Sequence, residues 1–127
     1  MWGGTEIEVA SAYAPAVSGV ARVDYINDIE ARMTPMTWVG GDWNCVPDVT
    51  LDVDSPNPMG YPNAGADAIE KAMENLGLVD ERREQLQQER EFTRKGRNVN
   101  REMVSTRLDR WYSPAQTHYL LSFESEK

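Results

Sequence analysis

Cysteine and histidine are scarce in this sequence of 127 residues, which holds one of each. The single cysteine, Cys45, excludes an internal disulfide framework and a zinc site built from four cysteines. We expect Cys45 to be a small buried residue with a free thiol, which is compatible with a reducing compartment. The chain also lacks an apolar run near the roughly 20 residues of a membrane span, and its first residues lack the order of a signal peptide. We therefore expect a soluble, intracellular chain that folds as one domain over residues 1–127.

Basic residues are scarce in most of the chain. Residues 1–80 hold 3 basic and 13 acidic side chains, whereas residues 81–127 hold 10 basic and 8 acidic ones, and the whole chain has a net charge of −8. An acidic surface repels the phosphates of nucleic acids, so the average charge argues against such a partner. The exception is a basic segment bordered by aromatic residues, which contains Arg94, Lys95, Arg97, Arg101, Arg107 and Arg110. Such a segment can follow a nucleic-acid backbone, and the simpler alternative is a solvated loop that balances acidic neighbours.

The hydrophobic pattern predicts a mixed α/β chain. Residues 6–13 alternate like a half-buried strand, with Ile7, Val9 and Ser11 on the apolar face. Apolar residues at steps of three or four predict helices over residues 20–33 and 66–76, the second ending at Gly77. The remaining predicted elements are a strand at 36–39, a long loop at 47–63, a polar helix at 81–90 and short strands at 91–93, 103–104, 108–112 and 119–123. This order predicts a layered α/β protein whose C-terminal half is rich in strands.

Two polar side chains follow the predicted strand 36–39. The sequence there is Gly-Gly-Asp-Trp-Asn, so Asp42 and Asn44 lie two residues apart and project toward one side. Ligands of α/β folds bind at strand ends, and an Asp beside an Asn can accept a proton from water and orient a phosphate or a metal-bound water. The simpler alternative is that both side chains cap the backbone of a tight turn.

A carboxylate and a tyrosine are two further candidates. Asp109 lies within the predicted strand Leu-Asp-Arg-Trp-Tyr, where burial would require an arginine or histidine partner. The simpler alternative there is a plain salt bridge to an arginine. Tyr13 ends the first strand before Ala-Pro, and its hydroxyl can point into the same crevice at the strand ends, although a lone tyrosine more often serves in packing.

Three motifs occur in a fixed order: Tyr-Ala-Pro at 13–15, Gly-Gly-Asp-Trp-Asn-Cys at 40–45 and Thr-Arg-Leu-Asp-Arg-Trp-Tyr at 106–112. In order and spacing they resemble the endonuclease/exonuclease/phosphatase superfamily, and within it the apurinic/apyrimidinic endonuclease-like domain of non-LTR retrotransposons. The connecting segments Leu-Gly-Leu-Val-Asp at 76–80 and Phe-Thr at 92–93 resemble the stretch between the two aspartate motifs of those endonucleases. The resemblance covers about residues 5–123.

This resemblance implies a DNase I-like fold, which is a four-layer α/β/β/α sandwich with mixed sheets and is expected to be partial here, and metal-dependent cleavage of phosphodiesters, most simply of DNA. Tyr13 would contact the scissile phosphate or a metal ligand, Asp42 would orient or deprotonate the attacking water, and Asn44 would hydrogen-bond the phosphate or the leaving oxygen. Asp109 matches the aspartate that pairs with the catalytic histidine of the family. A Mg²⁺ ion would polarise the phosphate, with Asp42 and Asn44 as candidate ligands. The side chains expected to contact DNA are Arg94, Lys95, Arg97 and Arg101.

Two motifs of that family are missing from the sequence. One is the strand that ends in the metal-binding glutamate; the other is Ser-Asp-His, since His118 lies in Thr-His-Tyr instead. We therefore expect a partial domain, truncated at both ends, with little or no turnover by itself and with sheet edges open to self-association. The alternatives are a vestigial or binding fold without catalysis, a phosphatase-branch member acting on a phosphate ester, and an unrelated α/β domain. For a nuclease of the retrotransposon type, the nucleus is among the expected locations.

Overall fold

Strands and helices fill most of the computed structural model, which describes residues 8–16 and 18–115. In chain order the elements are β1 (Glu8–Tyr13), α1 (Gly19–Glu30), β2 (Thr37–Asp42), α2 (Val49–Asp52), β3 (Val53–Asp54), a 3₁₀ turn (Pro58–Gly60), α3 (Ala66–Leu76), β4 (Leu78–Asp80), α4 (Glu81–Leu86), β5 (Arg94–Arg97), β6 (Met103–Thr106) and β7 (Asp109–Pro114). The strand predicted at 119–123 lies outside the described residues. Within the described part, none of the helices is long and apolar enough to cross a bilayer.

The strands form two sheets. Sheet A has the order β1-β2-β7-β4, with β1 parallel to β2 and with β7 antiparallel to both β2 and β4. Sheet B has the order β3-β6-β5 and is antiparallel. Helix α1 is the crossover that two consecutive parallel strands require. The mixed α/β class with two sheets is therefore confirmed, and self-association through the strand edges stays a prediction.

Helices α1 and α3 pack on one face of sheet A and form the main core. Ile26 of α1 and Ile69 and Met73 of α3 are buried against Val39 and Tyr112 of the sheet. A second, smaller core contains Val46, Val53 and Leu108. The predicted end of α3 is confirmed, since Gly77 has a left-handed backbone with φ of 71° and its N–H donates to carbonyls of the last helical turn.

Several local predictions were wrong. In β1 the small residues Ala10 and Ala12 face the helices, whereas Val9 on the predicted apolar face is 66% exposed. Helix α1 ends at Glu30, before the predicted end at residue 33, and Val20 at the start of the predicted apolar stripe is 74% exposed, whereas Arg22 is buried with its Nε donating to the carbonyl oxygen of Ala64 at 2.6 Å. The loop predicted at 47–63 contains α2, β3 and the 3₁₀ turn, and the polar helix predicted at 81–90 ends at Leu86.

Candidate functional site

Tyr13, Asp42 and Asp109 lie in one row across three neighbouring strands of sheet A. Tyr13 pairs with Asp42 in the register of β1 and β2, and Asp42 pairs with Asp109 in the register of β2 and β7. Paired residues on adjacent strands direct their side chains to the same face of a sheet. The register therefore brings together three of the four predicted site residues. We call these three residues, Tyr13, Asp42 and Asp109, the strand-end row. Their chemical roles stay predictions.

The carboxylate of Asp42 is held on one side and open on the other. Its Oδ1 accepts a hydrogen bond from the backbone N–H of Asn44 at 2.9 Å, which closes a turn directly after β2. Its Oδ2 lies 3.7 Å from Nη1 of Arg94, and the Asp42 side chain is 16% exposed. One oxygen thus fixes the rotamer while the other faces a cation and the surface.

The side chain of Asn44 ties the ends of β1 and β2 together. Its Nδ2 donates to the carbonyl oxygen of Ala14 at 2.6 Å, while the N–H of Ala14 donates to the carbonyl oxygen of Asp42 at 2.9 Å. Asn44 itself has a φ of 52°, a left-handed conformation that asparagine tolerates better than most residues. These contacts place Asn44 beside the strand-end row in a structural position, and contact with a phosphate stays a prediction.

Asp109 is exposed, so the burial predicted for it was wrong. Strand β7 begins at Asp109, and the alternation of the strand turns Arg110 and Tyr112 inward and leaves Asp109 and Trp111 outward. Among the described residues no ion pair to Asp109 occurs, so the simple salt bridge is also absent from that part of the chain. The backbone is fixed instead, because Oγ1 of Thr93 accepts the N–H of Asp109 at 3.1 Å.

Tyr13 presents an exposed ring at the end of β1. The side chain is 70% exposed, and the backbone N–H donates to the hydroxyl of Tyr25 in α1 at 2.9 Å. The position of the residue is therefore set through its main chain, and its exposed side chain forms one end of the row at the edge strand of sheet A.

Two glycines and a tryptophan hold Asp42 in its place. A Cβ on Gly41 would collide with the carbonyl oxygen of Ala12 in β1, and one on Gly40 would collide with the ring of Trp111 in β7. Trp43 is fully buried, and its Nε1 donates to the carbonyl oxygen of Arg110 at 3.1 Å. The close approach of three strands thus requires the Gly-Gly-Asp-Trp sequence at this point.

The predicted basic segment divides into buried and exposed arginines. Arg107 is buried, with Nε 2.7 Å from Oδ1 of Asp52 and with Nη1 and Nη2 bonded to the two oxygens of Asp80 at 3.0 and 2.7 Å. Burial alone would lower the pKa of this guanidinium, but its hydrogen bonds to Asp80 and Asp52 outweigh burial and raise the pKa above its usual range. Arg110 is also buried, and its Nη1 donates to the carbonyl oxygen of Cys45 at 2.6 Å. Nucleic-acid contact by these two arginines is therefore excluded.

The buried cluster around Arg107 was missed by sequence reasoning. Asp52 and Asp80 belong to different elements, far from Arg107 in the sequence, so no local spacing indicated the cluster. Arg83 joins it, with Nη2 2.6 Å from Oδ1 of Asp52. The cluster connects α2, β4 and α4 to Arg107, which lies two residues before Asp109.

The exposed basic residues lie on β5 and on the turn that joins it to β6. They are Arg94, Lys95, Arg97 and Arg101, the four residues assigned to DNA contact. Strand β5 is an edge strand of sheet B, and its first residue reaches Asp42 of sheet A. The basic edge and the strand-end row are therefore neighbours.

The ligand set for the Mg²⁺ ion that the resemblance implies is not present in the part of the chain that the structure describes. No group of three or more His, Cys, Asp or Glu side chains gathers there in an arrangement that could hold a metal. Of the two candidate ligands, Asn44 donates its amide nitrogen to Ala14, which leaves its amide oxygen as the atom that a metal could contact. His118, the one histidine of the sequence, lies outside the described residues. The described residues thus do not fit a metal centre.

The fold is similar to that of a solved nuclease domain. No protein-family model and no curated protein matches this sequence. Among solved structures, the chain is similar to the endonuclease domain of TRAS1, a telomere-specific non-LTR retrotransposon, with a TM-score of 0.52 and 17% sequence identity. The similarity covers 82% of this chain and 42% of that chain, so this chain spans less than half of its length. At this identity the likeness shows the fold alone, which is a mixed α/β arrangement of two sheets of the DNase I-like type.

Proposed function

We propose that this chain is a nuclease-type phosphodiesterase domain, acting on DNA, whose site is the strand-end row. The observation that supports the proposal most is the position of two carboxylates, Asp42 and Asp109, directly opposite each other on β2 and β7. Like charges in opposed positions destabilise a sheet. Proteins keep such unfavourable arrangements mainly where function needs them, and the end of a strand is where α/β folds bind ligands.

In this proposal each residue of the row has a separate task. Asp42 accepts a proton from the attacking water through Oδ2, since Oδ1 is occupied by the N–H of Asn44. The exposed hydroxyl of Tyr13 donates to a phosphate oxygen. Asn44 keeps β1 and β2 in register and lies close enough to the row to assist at the leaving oxygen. Asp109 corresponds to the aspartate that orients a catalytic imidazole in a triad, and the histidine of the Ser-Asp-His motif that it would orient is absent from this sequence.

The proposed substrate is nucleic acid because of the charge beside the row. Exposed arginine and lysine side chains on an edge strand bind phosphate backbones, and four of them lie on β5 and the adjoining turn. A phosphatase-type substrate with one phosphate would need fewer cations. No step is assigned to a metal ion, because the described residues do not gather a ligand set for one.

A plasmid-nicking assay tests this function. The wild-type chain, Asp42→Ala and Asp109→Ala are incubated with supercoiled and abasic-site DNA in Mg²⁺ and in EDTA. Asp24→Ala is the matched control, since Asp24 is an exposed aspartate on α1, away from the row. We expect slow nicking by the wild type and by the control, and a loss of about 100-fold or more in the two row variants.

Equal nicking by all four proteins, or none by any, would contradict the enzyme proposal. The second candidate is a nucleic-acid-binding fold without catalysis. It is favoured by one observation, that one of the two amide N–H groups of Asn44 is used within the fold on Ala14, which leaves a single N–H for a leaving oxygen. DNA binding by a protein that never cleaves is the result that would select it.

A further inference from the structure

We propose that Arg94 binds a phosphodiester group directly and holds it against the strand-end row. The inference rests on the proposed function for the ligand class, nucleic acid, but it requires no cleavage. The observation behind it is the ion pair in which Nη1 of Arg94 lies 3.7 Å from Oδ2 of Asp42. This pair joins the first residue of β5 in sheet B to the last residue of β2 in sheet A.

The backbone before Arg94 is fixed to the row. Oγ1 of Thr93 accepts the N–H groups of Leu108 and Asp109 at 3.0 and 3.1 Å, and the N–H of Thr93 donates to the carbonyl oxygen of Thr106 at 2.8 Å. Arg94 then pairs with Thr106 in the register of β5 and β6. Two consecutive residues thus contact the two aspartates, Thr93 through the main chain of Asp109 and Arg94 through the side chain of Asp42.

The guanidinium of Arg94 keeps its donors available. A separation of 3.7 Å is an ion pair but exceeds the 2.7–3.2 Å of an N–H···O hydrogen bond. Within the described residues its side chain makes no hydrogen bond, and that side chain is 60% exposed. Arg107 and Arg110, by contrast, are buried and hydrogen-bonded inside the fold. The planar fork of an arginine matches two phosphate oxygens.

Electrostatics give Arg94 a specific task. Asp42 and Asp109 are two negative charges at the place where a phosphate would bind, and two anions repel a third unless a cation lies between them. Among the described residues, the ion pair between Arg94 and Asp42 is the only one that either carboxylate of the row makes with a basic side chain. A phosphate held by its fork would lie beside Oδ2 of Asp42, the oxygen that the Asn44 turn leaves open.

DNA binding measured by fluorescence anisotropy tests this inference. A short fluorescein-labelled DNA duplex is titrated with wild type, Arg94→Ala, Arg94→Lys and Lys95→Ala, in EDTA and again in Mg²⁺. Lys95→Ala is the matched control. It removes one positive charge, as Arg94→Ala does, from an exposed residue whose side chain lies on the opposite face of β5. We expect binding by the wild type in EDTA, about tenfold weaker binding by Arg94→Ala, and about two- to threefold weaker binding by Lys95→Ala.

The lysine variant separates geometry from charge. Arg94→Lys keeps the cation but not the fork, so its affinity should lie between those of wild type and Arg94→Ala. Equal affinities for Arg94→Ala and Lys95→Ala would overturn the inference, and so would a wild type that fails to bind DNA. Arg94-dependent binding without any nicking would contradict the proposed catalysis alone. Asp42-dependent nicking with no difference between Arg94→Ala and Lys95→Ala would contradict this inference alone.

Discussion

Asp42 and Asp109 occupy directly opposed positions in the antiparallel pair of β2 and β7. Their proximity costs electrostatic energy, which is partly offset by the ion pair of Asp42 with Arg94. The main chain holds Asp109 in place regardless of that cost, through the hydrogen bond of its N–H to Thr93. The geometry of the row is therefore set by the backbone and does not depend on attraction between its side chains.

Because the two carboxylates oppose each other, we expect Asp109 to lower the stability of the protein although it is needed at the proposed site. Asp109→Asn removes one charge and keeps the shape, so the free energy of unfolding should rise by roughly 0.2–1 kcal/mol. Urea unfolding at neutral pH and low salt measures this, with Asp24→Asn on α1 as the control for the loss of one acidic charge. A clear loss of stability in Asp109→Asn would show that the Asp109 carboxylate makes a favourable contact instead.

Thr93 should act as a positioning residue for Asp109. Thr93→Val keeps the size of the side chain but removes the acceptor for two N–H groups. We therefore expect the free energy of unfolding to fall by about 1–3 kcal/mol. DNA affinity should fall as well, because Arg94 follows directly in the chain. Thr93→Ser restores the hydroxyl and should recover most of both quantities. Recovery of stability without recovery of DNA affinity would contradict the positioning role.

The buried ion cluster should dominate the stability of this region. Arg107→Met leaves Asp52 and Asp80 without their shared partner, and breaking a buried pair in this way costs about 3–5 kcal/mol. Arg82→Met is the matched control, because Arg82 pairs with Glu91 at the surface, where a salt bridge contributes about 0–1 kcal/mol. Chemical unfolding of both variants measures the contrast. Similar losses in the two proteins would show that burial adds nothing to the Arg107 pairs.

Glu8 should make stability depend on pH in the acid range. Hydrogen bonds from the hydroxyls of Thr34 and Thr37 lower the pKa of the Glu8 carboxyl below its ordinary value of 4.5. Because the pKa is lower in the folded state, the ionised form binds its partners there, and its contribution is present at neutral pH and lost as the pH falls through the folded pKa. The stability difference between wild type and Glu8→Gln should therefore shrink below pH 4.5. A difference that stays constant from neutral to acid pH would contradict this linkage.

Features set by neighbouring residues were predictable from the sequence. The apolar spacing of α3 and the glycine at its end predict the helix and its last turn, since periodicity and a left-handed cap depend on residues within one or two turns. The strand predicted at 36–39 is present as well, although β2 continues through both glycines and ends at Asp42. The identity of the candidate site residues and their order along the chain also came from the sequence alone.

Features set by residues far apart in the chain were not predictable from the sequence. The outward face of Val9, the exposure of Asp109 and the burial of Arg107 depend on which elements pack above and below each strand, and neither composition nor local spacing contains that information. The sequence determined which residues were available for the proposed phosphate-binding site. Only the tertiary structure decided that strand register aligns Tyr13, Asp42 and Asp109, and that sheet B brings Arg94 to them, because register and sheet packing arise from contacts between segments far apart in the chain.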